Sequence, residues 1–144
     1  MKKLWAIILA LVMALSLMAC GNTAVQPDAD ADADAPIVTD GAALGEGAHS
    51  FTLEITDADG KTITATIHTD AETVGEALSN LEIVQGEDSE FGLYVKTVNG
   101  ITADYDVDQT YWAFYIDGEY AQTSVDMTAV NDGSIYKLAV EKSA

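Results

Sequence analysis

Tyr111, Tyr115 and Tyr120, with Tyr94 nearby in sequence, are the side chains of this chain best suited to recognition. A tyrosine ring buries a large apolar area and keeps a polar tip, so a group of them matches a ligand with a flat apolar body and a polar rim. Strand alternation over residues 111–116 puts Trp112, Phe114 and Ile116 on one face and Tyr111, Ala113 and Tyr115 on the other. The first face reads as core. The second reads either as a wet aromatic surface or as cross-strand tyrosines that only stabilise a sheet.

No catalytic constellation accompanies them. The two histidines are His49, at the end of a polar tether, and His68, at a strand-to-helix junction, and neither has a ligand-spaced partner for zinc. Asp104, Asp106 and Asp108 imitate the start of a calcium loop. The sixth position is Gln109 instead of glycine and the twelfth is Tyr115 instead of glutamate, which excludes an EF-hand and leaves only a looser, weak calcium site. Basic residues are too scarce for a phosphate loop. The chain is read as a non-enzyme that requires no cofactor and has no metal centre.

Cys20 is the only thiol. It follows two lysines, Lys2 and Lys3, and an uncharged apolar run over residues 4–19. That is the pattern of a secretory signal, and the run is shorter than the ~20 apolar residues of a spanning helix. Leu17-Met18-Ala19-Cys20-Gly21 resembles the bacterial lipobox, which implies cleavage before Cys20 and acylation of its thiol. Each buried methylene of an acyl chain contributes ~0.8 kcal/mol, and two or more chains hold a protein stably. The expectation is a signal peptide over 1–19 and an extracytoplasmic protein anchored to the bacterial cell membrane through Cys20.

After Cys20 the chain has four lysines, no arginine and all 24 acidic residues, a net charge of −20. Such a surface repels nucleic acid and other polyanions. In residues 20–48, Asp28, Asp30, Asp32 and Asp34 alternate with alanine between the only two prolines, Pro27 and Pro36. With few apolar groups and much like charge, this stretch reads as a disordered acidic linker that lifts a domain off the membrane.

Residues 49–144 read as one folded domain. Phe51, Leu53 and Ile55 alternate with polar residues in a first strand, Asp57-Ala58-Asp59-Gly60 is a hairpin turn, and residues 62–67 form a β-branched second strand. Thr69-Asp70-Ala71-Glu72 has capping-box spacing, and Val74, Ala77, Leu78 and Leu81 recur at helical spacing behind it. Gly75 inside that helix implies close packing against a sheet. Residues 85–89 read as a polar loop. Strands follow over 93–98, 111–116 and 135–140, with turns at Asn99-Gly100, Asp117-Gly118 and Asn131-Asp132-Gly133. The order is α+β, a β-grasp-like mixed sheet with one packed helix. A pure β-sandwich is the alternative if the helix is short.

Several strings together resemble a known family. They are Gly92-Leu93-Tyr94-Val95-Lys96-Thr97-Val98-Asn99-Gly100, Ala103-Asp104-Tyr105-Asp106, Tyr111-Trp112-Ala113-Phe114-Tyr115-Ile116-Asp117-Gly118, Asp132-Gly133, and Val74-Gly75-Glu76-Ala77-Leu78 on the helix. They are similar to domain-of-unknown-function family 4430, itself related to the C-terminal β-domain of transcobalamin and intrinsic factor. Ser124 and Ser134 depart from that pattern, where the family often has glycine and an acidic residue. The resemblance implies a ligand-binding module that captures cobalamin or another corrinoid and passes it to an uptake transporter or a paired lipoprotein. Tyr94, Tyr111, Tyr115 and Tyr120 are the candidate ligand-binding residues. The competing reading is a surface module that docks a protein or a glycan and has no small-molecule ligand.

Overall fold

The computed structural model describes residues 38–144. The expected signal sequence, Cys20 and the alternating aspartates at 28–34 lie outside the described residues.

Six strands form a mixed sheet. In chain order they are β1 (Ala43–Gly45), β2 (His49–Thr56), β3 (Thr62–Thr69), β7 (Thr110–Ile116), β8 (Glu119–Tyr120) and β9 (Ile135–Lys142), arranged β1-β3-β2-β9-β7-β8. β1 runs parallel to β3 and β2 parallel to β9, and the remaining pairs are antiparallel. A second sheet holds β4 (Val84–Ser89), β5 (Gly92–Val98) and β6 (Ile101–Thr102). The helix α1 (Val74–Asn80), a short helical turn α2 (Tyr105–Asp108) and a 3-10 turn (Val125–Met127) complete the α+β order. The strands therefore sort into two sheets instead of the one expected.

Period-2 patterning explains the large sheet. On β2 the inward Phe51, Leu53 and Ile55 are buried while the intervening threonines and Glu54 are partly exposed. The Asp57 carboxylate accepts the Asp59 and Lys61 N–H groups at 3.0 and 2.9 Å, which closes the β2–β3 turn. Tyr136 on β9 is the centre of the core. Its ring meets Phe51 edge-on at 5.1 Å and stacks on Phe114 at 6.1 Å. Its buried hydroxyl donates to the Ala129 carbonyl at 3.0 Å and accepts the Asn131 N–H at 3.1 Å, so burial leaves no polar atom unpaired. Trp112 and Phe114 are buried as the alternation expects, and the Trp112 indole N–H donates to the Lys96 carbonyl at 3.1 Å, joining the two sheets.

The helix begins one turn later than the capping box at Thr69 implies. Thr73 is the N-cap, and its hydroxyl accepts the Glu76 N–H at 3.2 Å. Thr69…Glu72 and Thr73…Glu76 have the same spacing, but Thr69 is still paired with His49 in the sheet. Gly75 packs against the 3-10 turn and not against a sheet: a Cβ there would lie 2.6 Å from the backbone of Asp126.

Residues 85–89 are an edge strand, β4, and not a loop. Its side chains are exposed, so no apolar period marks it, and backbone pairing to β5 holds it through a register shift at Gln85/Gly86. The folded part also starts earlier than expected. Val38 is 1 % exposed, and its N–H and C=O both bond the side chain of Asn99, at 2.7 and 3.0 Å. Asn99 is oriented for this by its left-handed φ of 51° in the Asn99-Gly100 turn. Residues 38–48, assigned to the linker by their composition, are thus part of the domain, and β1 covers the edge of β3.

Candidate functional site

The inner face of the large sheet packs on α1 and the second sheet. The opposite face carries Thr52, Glu54 and Thr56 from β2, Lys137 and Glu141 from β9, and Tyr111 and Tyr115 from β7, all partly exposed. Antiparallel register places Tyr111 opposite Glu141, Tyr115 opposite Lys137, and Tyr115 opposite Tyr120 on β8. Residues directly opposite in a ladder have side chains on the same face, so Tyr111, Tyr115 and Tyr120 share one surface.

Glu141 organises that surface. The Tyr111 hydroxyl donates to Oε2 at 3.2 Å, and the Tyr115 hydroxyl donates to Oε1. The bond to the carboxylate, helped by burial and by the carboxylate charge, pushes the Tyr115 hydroxyl up to about 12 and raises that of Tyr111. Tyr120 meets the Tyr115 ring edge-on at 5.5 Å, and the Lys137 ammonium lies 6.0 Å from the centre of the same ring. Tyr120 is 56 % exposed and is the most open of the three.

The hydroxyl protons of Tyr111 and Tyr115 are committed to Glu141. Each phenolic oxygen keeps lone pairs, so the cluster offers ring faces for stacking and oxygens that accept N–H groups.

Tyr94 is separate from this cluster. It stands on β5 of the second sheet, between Leu93 and Val95, which pack on the core. With Tyr120 it borders a cleft of about 150 Å³ whose floor includes Trp112, Phe114 and Val125. That volume is below the ~300 Å³ at which small-molecule pockets begin. Sequence reasoning missed Glu141 and Lys137, since only the β7–β9 register brings them to the tyrosines. It also passed over Tyr105 on α2, which is 48 % exposed.

The other expected site residues are spent locally. Asp104 caps α2 through the Asp106 N–H at 2.9 Å, and Asp108 accepts the Thr110 N–H at 3.1 Å and its hydroxyl. Among the described residues no group of three or more His, Cys, Asp or Glu is placed to hold a metal ion. His49 is not in a tether: it opens β2, with Nδ1 3.0 Å from the Asp132 carboxylate.

Comparison with known proteins adds three findings. The family model described as "Domain of unknown function (DUF4430)" matches residues 71–135. A crystal structure from Ruminococcus gnavus, named as "a putative metal binding protein", is 33 % identical with a TM-score of 0.64, covering 67 % of this chain and 100 % of that one. Haptocorrin in complex with Cbi is 15 % identical with a TM-score of 0.51, covering 70 % of this chain and 27 % of that one, a likeness of fold alone. No curated protein sequence matches the chain.

Proposed function

The chain belongs to the family described as Domain of unknown function (DUF4430), and from that premise we propose that it is a lipid-anchored extracytoplasmic protein that captures a corrinoid for uptake. The observation that carries this reading is the open sheet face on which Glu141 fixes Tyr111 and Tyr115 beside the exposed Tyr120. A corrin ring has an apolar face and a rim of amides. Rings held in place stack on the former with little entropy left to lose, and phenolic oxygens accept from the latter. The haptocorrin neighbour is itself a complex with Cbi, which supports this class of ligand for the shared fold. The acidic surface tolerates a ligand of small net charge.

In this reading Cys20 carries the acyl anchor, the chain binds without transforming its ligand, and a transporter or paired lipoprotein receives it. An open face encloses only one side of a large ligand, so the affinity is micromolar or weaker, about −8 kcal/mol or less favourable. Visible absorbance tests the site, because corrinoid bands shift on transfer from water to an aromatic surface. A shift with cobinamide that disappears in the Tyr115→Ala/Tyr120→Ala double variant supports the assignment. A shift that survives the double change places the ligand elsewhere, and no shift in either protein leaves the face to a docking role.

A further inference from the structure

The tip of the β4–β5 hairpin displays an aromatic residue on a pinned scaffold. Phe91 is 83 % exposed. The Ser89 hydroxyl accepts the Phe91 N–H at 3.2 Å and donates to the Gly92 carbonyl at 2.6 Å, which locks the turn. The Asp126 carboxylate accepts the Leu93 N–H at 2.9 Å and the Ser124 hydroxyl at 2.5 Å, which ties the tip to the 3-10 turn. A Cβ on Gly92 would lie 2.0 Å from the Ser124 hydroxyl oxygen, so the two segments meet as closely as a glycine permits. Ser124, a departure from the family pattern, is therefore one half of this clasp. Phe91 and Met127, the latter 60 % exposed, each follow or precede the clasp by one residue.

A lone exposed apolar residue needs no explanation. Here an exposed phenylalanine on the hairpin tip and an exposed methionine on the 3-10 turn flank two segments that four side-chain hydrogen bonds pin. Aromatic residues and methionine are enriched at the centres of protein interfaces, and a surface fixed before binding loses less entropy on association. Charge selects the occupant. Glu87, Asp88 and Glu90 are exposed on the hairpin that carries Phe91, and Asp126 accepts the Leu93 N–H just beyond it; Lys96 of β5 is paired with Glu87 at 3.1 Å. A second copy of this chain, itself carrying a net charge of −20 after Cys20, is repelled, and so is an anionic lipid surface.

We propose that Phe91 and Met127 form a docking surface for a protein partner that presents an apolar pocket rimmed by lysine or arginine. The surface is independent of the corrinoid reading and stands or falls separately from it. The test is Phe91→p-benzoylphenylalanine in the full-length lipoprotein, irradiated in intact membranes. The expected result is an adduct with one other protein, joined to a peptide that carries lysine or arginine. Its yield falls about tenfold between low and high salt, and by a similar factor in Asp88→Lys/Glu90→Lys, as a steered encounter between opposite charges requires. Unchanged melting of each variant shows that folding is intact. No adduct, an adduct only with lipid or with a second copy, or a yield indifferent to salt and to charge reversal would each overturn the proposal.

Discussion

Tyr115 donates its hydroxyl proton to Glu141, which lies 26 residues further along the chain. This bond, with its twin from Tyr111, makes separate strand residues into one surface, and its titration is directly measurable. The Tyr115 pKa is raised from 10.0 to about 12, first by the hydrogen bond and then by burial. A proton held more tightly in the folded chain stabilises it fully below pH of about 10 and ceases to do so as pH rises through about 12. Glu141→Gln removes the charge and keeps the size. Ultraviolet titration of tyrosinate is expected to show one late-titrating tyrosine in the native protein that returns toward 10 in the variant. An unchanged titration curve would mean that Glu141 does not hold Tyr115.

Removing residues 38–48 is expected to destabilise the domain. Burying a valine contributes about 1.5–3 kcal/mol, and Val38 is buried and bonded at both backbone atoms to Asn99. A chain starting at His49 also loses β1 and uncovers the edge of β3. Its melting temperature should fall by about 10 °C or more relative to a chain starting at Asp34. Equal melting of the two would return these residues to the linker.

Gly75→Ala sets two effects against each other. Alanine favours the helix by about 1 kcal/mol, but its methyl would lie 2.6 Å from the Asp126 backbone, and overpacking of this kind costs about 1–3 kcal/mol. The contact is with backbone that cannot rotate away, so urea unfolding should show a net loss of stability. A net gain would show that the 3-10 turn gives way easily.

His49 and Asp132 form an exposed pair in which each holds the other's charged form. The hydrogen bond to Asp132 raises the His49 pKa above 6.5, and the same bond lowers Asp132 below 3.8. The His49 contribution is present below pH 6.5 and lost as pH rises through the raised value. That of Asp132 is present above 3.8 and lost as pH falls through the depressed one. Proton NMR should give His49 a pKa above that of a free imidazole, and Asp132→Asn should remove the difference.

The pattern of residues reveals the fold wherever one face is buried. Phe51, Leu53 and Ile55 declare β2 by alternation, and Asn99-Gly100 and Asp117-Gly118 declare their turns because both residues of each take positive φ. β4 is illegible for the converse reason: with only Val84 buried, its strand character comes from backbone pairing that no side chain records. The helix start is ambiguous between two identical cap spacings, and sheet pairing of Thr69 decides it. Val38 sits next to a polar run and looks like linker until Asn99, 61 residues away, is seen to hold it. The site divides in the same way. The alternation of residues 111–116 identifies the tyrosine face, whereas Glu141 enters it only through register, and Tyr94 leaves it because β5 belongs to the other sheet.

Calorimetric titration of cyanocobalamin and cobinamide into the domain comprising residues 34–144 tests the central claim most directly. The unit is compact in itself and contains every tyrosine of the cluster. Saturable heat is predicted with a dissociation constant in the micromolar to millimolar range, as an open half-site allows, weakened at least about tenfold by Tyr120→Ala through the loss of its ring contact. No heat and no change in the NMR shifts of Tyr111, Tyr115 and Tyr120 at millimolar ligand would contradict corrinoid capture by this face.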